Sequence, residues 1–474
     1  MPANREAATP EAGSRAYSHA ERMRVVLGIL TCILLAALDQ TVVLPAIPQI
    51  ASSLHKVGHL SWVVAAYLLT STATTPIYGK LSDQMGRRAV LVPALVFFLL
   101  ACMLCAVAQS VPMLILGRAL QGVGGGALLA VSQAAVGDVI PPRERGRYQA
   151  WFAGTWAFAS IAGPIAGGVI TQHFSWRWIF WFNLPVGLAA LVLCVRGLRG
   201  LVPAGRRARI DYAGAMLLIV SVTAILAALS MGGVDFPWAS WPEAGIFAVG
   251  ILAFGVLVKQ QQVATSPLFP GRLMARGVYR CILAVSFCNS AGMFGAIFLL
   301  PLLLQWRYHA GPAASGVDIM PFLATTTVGA FGAGQVVRLT GRFRPIIAAG
   351  VALAAAGFLV QALLPQGGVL AYPVIVAAVA GLGIGAVMPT SLVAAQSEAG
   401  RTEMGAATGT LLLTRAMGGA FGATIAGALL ALSHGDLPLG FRMGFFACAG
   451  MQGLATLAAL RMEDVVLSAG AGLH

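Results

Sequence analysis

The loop Gly79–Arg88 constrains this chain most, because it separates two long apolar runs and returns in degraded form 255 positions later. Three residues of the first copy are kept in the second: Gly79, Gly86 and Arg87 match Gly334, Gly341 and Arg342. A polar loop between apolar runs of this length must turn at a membrane face. Its recurrence predicts two similar helical halves, an organisation typical of transporters rather than channels or enzymes.

Composition supports a membrane protein. Of 474 residues, 58% are hydrophobic and 10% are charged, whereas soluble domains carry about 25% charged residues. We therefore expect no soluble domain. The polar N-terminal stretch lacks an apolar core before a cleavage site, so we expect an uncleaved first span rather than a signal peptide.

The apolar runs predict fourteen transmembrane helices, since about 20 apolar residues span a bilayer and unpaired backbone groups are not tolerated in lipid. The runs are roughly 25–48, 61–79, 89–109, 112–137, 149–171, 177–195, 212–231, 243–261, 281–304, 315–337, 345–364, 370–396, 404–431 and 440–461. The fold class is thus an all-α polytopic membrane protein.

Basic residues indicate the orientation. With an internal N-terminus, 24 of the 30 Lys and Arg residues lie on the cytoplasmic side and four lie outside, which predicts that both termini are cytoplasmic. Nucleic acid is not an expected partner despite the net charge of +14, because the basic residues occupy short loops and form no continuous stripe.

The repeat divides the chain. Gly163-x-x-x-Gly167 in span 5 matches Gly418-x-x-x-Gly422 in span 13 at the same 255-residue offset. Spans 1–6 and 9–14 are then the two halves, with spans 7 and 8 inserted between them. The predicted units are an N-terminal tail (1–24), a first six-helix bundle (25–195), a linker with two inserted helices (196–280), a second bundle (281–461) and a C-terminal tail (462–474).

Four motifs occur in order: Leu38–Val43 in span 1, the Gly79–Arg88 loop, Arg118-x-x-Gln121-Gly122 in span 4 and Gly163-Pro164-x-x-Gly167-Gly168 in span 5. With them the chain resembles the major facilitator superfamily, specifically its fourteen-span drug:proton antiporter (EmrB/QacA-like) branch. The resemblance implies alternating access by two six-helix bundles, and export of amphipathic drug-like compounds in exchange for protons across the cytoplasmic (inner) membrane.

Two opposite charges lie deep in the spans. A charge in the middle of the bilayer costs about 2.5–3.5 kcal/mol on insertion scales. At a rise of about 1.5 Å per residue, Asp39 and Arg118 both lie roughly 22 Å from the cytoplasmic side. Burial opposes the charged carboxylate and a nearby arginine favours it, so Asp39 can exchange a proton. The alternatives are a fixed structural ion pair with Arg118 or, for Asp39, a contact to substrate only.

Other coupling groups are not expected. No histidine lies mid-span, so a proton must be carried by a carboxylate, and Asp39 is the deep one. Cys102 and Cys105 have CxxC spacing without further ligands, and His55 and His59 lie in a short external loop. We expect packing rather than a metal site, and no cofactor besides the proton.

The loop Gly79–Arg88, called the gate loop below, combines Gly79 and Gly86 for a tight turn with Asp83, which can pair with Arg87, Arg88 or a neighbouring helix terminus. In the resembled family this loop latches the two halves together; the alternative is that Arg87 and Arg88 only set topology. The second copy has Arg338 where the first has Asp83, so the latch is predicted to be asymmetric.

In span 5, Pro164 predicts a kink. Gly163, Gly167 and Gly168 predict close packing against a span of the second half. Packing alone, without a part in rocking, is the alternative.

Candidate substrate contacts are Gln40, Thr41, Gln121, Asp318 and Arg415. An apolar pocket with few polar groups suits amphipathic molecules. Arg415 can face an anionic substrate group or a carbonyl cluster; Asp318 can be a helix N-terminal charge or a vestibule site for cations.

Three function classes compete. The motifs favour proton-coupled export, while the same fold could carry one specific metabolite by proton coupling or uniport. A non-transporting receptor or a membrane enzyme is the third class, and the chain shows neither a P-loop nor a nucleophile–base pair. Some fourteen-span exporters work with a periplasmic adaptor, and the sequence leaves that partner open.

Overall fold

The apolar runs form long helices because the intrahelical hydrogen bonds satisfy the backbone of each segment. The computed structural model describes residues 19–54, 61–200, 211–231, 240–308, 318–363, 370–400, 402–433 and 436–463. The first half consists of α1 (His19–Val42), α2 (Ser61–Met85), α3 (Arg87–Ala106), α4 (Val111–Val139), α5 (Pro142–His173) and α6 (Trp178–Gly197).

Two helices, α7 (Tyr212–Met231) and α8 (Trp241–Val263), form the insert. The second half consists of α9 (Gly277–Tyr308), α10 (Met320–Thr340), α11 (Arg344–Leu363), α12 (Ala371–Ala399), α13 (Met404–Leu432) and α14 (Leu437–Arg461). Short helices at Ile47–Ser53 and Gly271–Ala275 and 3-10 turns at Leu44–Ala46 and Leu198–Gly200 complete the described secondary structure.

Twelve of the long helices in the described residues are long and apolar enough to cross a membrane by length and composition. The other two are α2 and α10, which are rich in threonine, together with serine in α2 and glycine in α10. Their threonine hydroxyls return to their own helix: Thr70 donates to the Ala66 carbonyl at 2.9 Å and Thr325 to the Pro321 carbonyl at 2.9 Å. Thr70 Oγ1 also lies 2.8 Å from the Ala119 carbonyl of α4, so these polar side chains are satisfied by carbonyls of their own helix and of the helix packed against it.

The two halves pack by the same scheme. In the first half α2 packs on α4, α1 on α5 and α6, and α3 on α4 and α6. In the second half α10 packs on α12, α9 on α13 and α14, and α11 on α12 and α14. Each pair therefore recurs eight helices later, as the repeated loop predicts.

The halves meet along two seams, where α2 packs on α13 and α5 packs on α10. At the end of the bundle that carries the gate loop, α2 and α13 come close enough for Gly79 to contact the Gly405 carbonyl. Gly79 thus lies within α2 and not in a turn, contrary to the sequence expectation. Gly86 alone makes the turn, with φ 94° between α2 and α3, a conformation that glycine adopts at little cost.

Candidate functional site

A carboxylate with three polar neighbours lies at the centre of the first half. Asp39 is fully buried and lies about one turn before the end of α1. Its Oδ2 accepts a hydrogen bond from Arg118 Nη1 at 2.6 Å. Its Oδ1 accepts from Gln121 Nε2 and from Asn183 Nδ2, both at 2.7 Å. Helices α1, α4 and α6 thus place Asp39, Arg118, Gln121 and Asn183 in contact, and we call these four residues the Asp39 cluster.

Arg118 is also fully enclosed. Its Nη1 donates to Gln121 Oε1 at 2.7 Å and its Nε donates to the Val63 carbonyl at 3.1 Å. The guanidinium carbon lies 4.5 Å from the centre of the Tyr67 ring, where the ring face attracts a cation. Hydrogen bonds and the opposite charge therefore compensate the loss of water around both ions.

Sequence reasoning placed Asp39 and Arg118 at the same depth but missed Asn183. The signal was available, because Asn183 is the one asparagine in the apolar run of α6, and an intramembrane amide needs a hydrogen-bond partner. Cys102 and Cys105 border the cluster: Gln121 Nε2 lies 3.0 Å from Cys102 Sγ. In the described residues no group of three or more His, Cys, Asp or Glu side chains is arranged to hold a metal ion, and His55 and His59 lie outside those residues.

The gate loop forms a second buried charge cluster. Asp83 accepts from the Gly405 and Ala406 backbone N–H groups, both at 2.8 Å, at the start of α13. Arg87 lies 2.7 Å from Asp83 and 2.7 Å from Asp138, the latter at the end of α4. Asp83 therefore contacts both kinds of partner that the sequence suggested, an arginine and a helix terminus, while Arg88 is exposed.

The two halves also touch beside the gate loop. Gln396 Nε2 of α12 donates to the Gln133 carbonyl of α4 at 3.1 Å, and Met404 Sδ contacts Gly137. Arg145 covers the end of α4, with its Nε 2.9 Å from the Ile140 carbonyl. This end of the bundle is consequently closed between the halves.

The second copy of the loop is built differently. Gly341 ends α10 with φ 67° and matches Gly86, but Arg338 is exposed where Asp83 is buried. Arg344 Nη2 donates to the Leu460 carbonyl at 2.7 Å. The structure thus has the asymmetry that the Arg338 position predicts.

The span-5 motif packs differently from expectation. A Cβ at Gly163 or Gly167 would meet Thr41 or the Val42 carbonyl of α1, so these glycines pack within their own half and not against the second half. Gly168 has no atom within 4 Å of such a Cβ. The helix α5 runs from Pro142 to His173 through Pro164.

The candidate substrate contacts are dispersed. Gln121 belongs to the Asp39 cluster, and Thr41 Oγ1 donates to the Ala159 carbonyl at 3.0 Å. Gln40 is half-buried beside this position. Arg415 donates to the Met388 carbonyl and to Ser391 Oγ of α12, so a carbonyl is one of its partners. Asp318 borders a small, mostly apolar cavity between α9, α10 and α12.

A family model supplies the class of protein. The model of the Major Facilitator Superfamily matches residues 29–423. Because the match covers most of the chain, this protein belongs to the Major Facilitator Superfamily. It is therefore a multi-pass membrane transporter of small substrates and not an enzyme.

Curated relatives agree. The chain is 34% identical over 424 residues to the multidrug transporter protein MdtP of Bacillus subtilis (strain 168), covering 90% of this chain and 78% of MdtP. It is 36% identical over 352 residues to the MFS-type efflux pump LUC4 of a Fusarium species, covering 72% of this chain and 61% of the pump. Homologues named as multidrug and efflux transporters thus share about a third of its residues.

Solved structures share the fold. The human organic anion transporter MFSD10 (TETRAN) matches with a TM-score of 0.66 and 16% identity over 92% of this chain and 99% of that one. The proton:xylose symporter XylE matches with a TM-score of 0.63 and 15% identity over 94% and 97%. At these identities the likeness concerns the architecture alone.

Proposed function

We propose that this protein is a proton-coupled antiporter that exports amphipathic drug-like compounds by alternating access, with Asp39 as the proton carrier. The main support for this proposal is the geometry of the Asp39 cluster. Its carboxylate is enclosed in the first half and is bound to one arginine and two amides. The relatives named as multidrug and efflux transporters support the substrate class.

The proton competes with Arg118 for one oxygen of Asp39. Oδ2 is the atom that binds Arg118 Nη1 at 2.6 Å, and it is also the atom free of the two amide donors. A proton on Oδ2 neutralises Asp39 and weakens this contact, after which Arg118 keeps Gln121 Oε1 and the Val63 carbonyl. Protonation thus removes the ionic contact between α1 and α4 and leaves the Gln121 bond to Oδ1, which allows the two helices to shift and couples the proton to helix movement.

The gate loop acts as the cytoplasmic latch in this proposal. The carboxylate of Asp83 binds the first free N–H groups of α13, where the helix dipole favours a negative charge. Arg87 holds that carboxylate in place through its second bond to Asp138. Breaking the contact to Gly405 and Ala406 frees the cytoplasmic ends of the halves, so the closed form described above is the outward-facing side of the cycle.

All fourteen long helices cross the membrane in this proposal. Helices α2 and α10 pack on α4 and α12, both of which are long and apolar enough to span. Their hydroxyls donate to carbonyls of their own helix and, at Thr70, of α4, which allows a polar helix to lie within a bundle. With the basic loops on the cytoplasmic side, both termini are cytoplasmic in the inner membrane.

Proteoliposomes with an imposed pH gradient test the assignment. Ethidium transport and internal pH are followed by fluorescence for the wild type, for Asp39→Asn, and for Asp436→Asn as the control, an exposed carboxylate that caps α14. We expect Asp39→Asn to lose gradient-driven ethidium flux and its proton counterflux, and Asp436→Asn to keep both. Normal pumping by Asp39→Asn would refute proton coupling at this residue; gradient-independent flux in the wild type would indicate a uniporter.

A further inference from the structure

The two seams between the halves differ although the repeat relates them. Helix α2 corresponds to α10 and α13 corresponds to α5, so the α2/α13 seam and the α5/α10 seam are equivalent by the repeat. The insert breaks this equivalence, since α7 packs on both α2 and α13. We call α2/α13 the covered seam and α5/α10 the bare seam.

Along the covered seam the two helices touch directly only over part of their length. Near the gate loop, Gly79 contacts the Gly405 carbonyl, and a Cβ at Gly409 would lie 2.8 Å from Pro76 Cα. Farther along α13 an apolar cluster replaces this contact and includes α7. Its buried members are Leu69 and Ala73 of α2, Leu413 of α13, and Ala215, Leu218, Val222, Leu226 and Ala227 of α7, with Leu257 of α8 and Leu268.

Each end of the insert is tied to a different half. At the far end, Thr424 Oγ1 of α13 donates to the Leu229 carbonyl of α7 at 3.0 Å. At the gate-loop end, Gln84 Nε2 of α2 donates to Ser266 Oγ at 3.1 Å, just after α8. The insert therefore runs as a diagonal strap from the second half to the first.

The gate-loop end of the strap is itself held together. Asp211 accepts from the Gly214 N–H at 2.8 Å and from Gln260 and Gln261 at 2.7 Å each, which joins the start of α7 to the end of α8. Gln261 Oε1 accepts from the Leu268 N–H at 2.7 Å. These bonds fix Leu268 in the apolar cluster and place Ser266 beside Gln84.

The two helices of the bare seam expose large apolar side chains. In α5, Phe158 and Ile165 are 59% and 63% exposed; in α10, Val328 and Leu339 are 60% and 78% exposed. Helix α8 likewise has Leu252 69% exposed. Exposed apolar side chains of a membrane protein are suited to contact with acyl chains.

We propose that the insert is a lateral seal: α7 keeps acyl chains out of the covered seam, so that the interior of the transporter exchanges with the bilayer along the bare seam alone. When the halves rock, α2 and α13 separate first at one end and then at the other. The strap follows both movements, since one of its ends is bonded to each half. This seal would operate whatever the substrate is and whether or not transport is coupled to protons.

Photolabelling in liposomes tests the seal. The full chain is reconstituted with phosphatidylcholine carrying a diazirine in its acyl chain, irradiated and digested, and the labelled residues are identified by mass spectrometry. We expect label on α5 between 158 and 169, on α10 between 328 and 339 and on the outer face of α8. Leu69, Ala73 and Leu413 should stay unlabelled.

A seal-breaking variant sharpens the test. Leu218→Ala, Val222→Ala and Leu226→Ala together remove the α7 face that fills the seam; the matched control carries Ile251→Ala, Leu252→Ala and Phe254→Ala on the exposed face of α8. The first variant should gain label at Leu69 and Leu413 up to the level of α10 in the same sample, and the control should not. Thermal unfolding of both variants checks that they are folded.

Label at Leu69 or Leu413 in the wild type, equal to that on α10, would overturn the seal. An unchanged pattern in a folded seal-breaking variant would also overturn it, because the covered seam would then be closed without α7. Loss of the transport activity proposed above leaves these outcomes unaffected, so the two proposals fail independently.

Discussion

The two halves share one helix arrangement but differ in buried charge. The first half encloses Asp39 and Arg118, with Gln121 and Asn183 completing their hydrogen bonds. In the second half, α9 and α14 enclose Asn289 and Gln452, whose contact is a 3.4 Å bond from Gln452 Nε2 to the Asn289 carbonyl. The duplicated scaffold therefore buries polar groups in both halves, but among the described residues only the first half has ion pairs with both side chains buried.

The loops show the same division. Asp83, Arg87 and Asp138 form the charged network in the first half, and the second half supplies only backbone N–H groups to it. Arg338 replaces the acid in the second copy. At the gate loop the first half holds the charged groups and the second half supplies backbone N–H groups, and the following substitutions test that division.

The largest effect is expected for Arg118→Ala, which leaves Asp39 buried without its cation. Removing one partner of a buried ion pair costs about 3–5 kcal/mol. Unfolding by SDS in detergent micelles should detect this loss, and ethidium transport should fall with it. Arg442→Ala, an exposed arginine of α14, should change neither; equal small effects of the two would remove any special role from Arg118.

Two fully buried glutamines offer a matched pair. Gln121 bonds to both ions of the cluster, and hydrogen bonds to charged groups contribute about 1.5–3 kcal/mol each. Gln452 Oε1 has no partner among the described residues, so its removal should be close to neutral. We expect Gln121→Leu to destabilise strongly and Gln452→Leu to change the SDS midpoint little; the reverse order would contradict the division between the halves.

Asp83→Asn should open the latch. Without its charge, residue 83 accepts weaker hydrogen bonds from the Gly405 and Ala406 N–H groups, and such bonds to a charged group contribute about 1.5–3 kcal/mol. A loss of this size shifts the equilibrium between closed and open forms by roughly tenfold to a hundredfold. Spin labels at Arg88 and Thr402 report the separation of the halves. A longer-distance population should grow in Asp83→Asn and not in Arg338→Ala, and an unchanged distance distribution would show that the loop is not a latch.

Smaller losses of stability, similar in the two halves, are expected at the equivalent glycines Gly167 and Gly422. A methyl group at Gly167 would meet the Val42 carbonyl, and one at Gly422 would meet the Ala291 carbonyl. Overpacking costs typically about 1–3 kcal/mol, so both alanine variants should lose similar stability, measured by thermal unfolding. Gly168→Ala is the control, since nothing lies near its Cβ; a loss as large there would contradict the packing scheme.

The sequence predicted the helical runs, the repeat and the common level of Asp39 and Arg118 along their helices, because hydropathy and residue spacing report on position along a helix. It did not predict which faces of neighbouring helices are in contact. Asn183 was missed because hydropathy does not tell which face of α6 points towards α1. Gly163 was assigned to the wrong partner helix for the same reason. Gly79 was placed in a turn, although α2 continues to Met85 and uses that glycine to approach α13.

The central claim is that Asp39 gains and loses a proton during transport. Infrared difference spectroscopy of the reconstituted protein, with and without ethidium, measures this through the C=O stretch of a protonated carboxyl group. The account predicts a carboxyl band that decreases when ethidium binds and is absent in Asp39→Asn. A spectrum without that change, or the same band in Asp39→Asn, would contradict it.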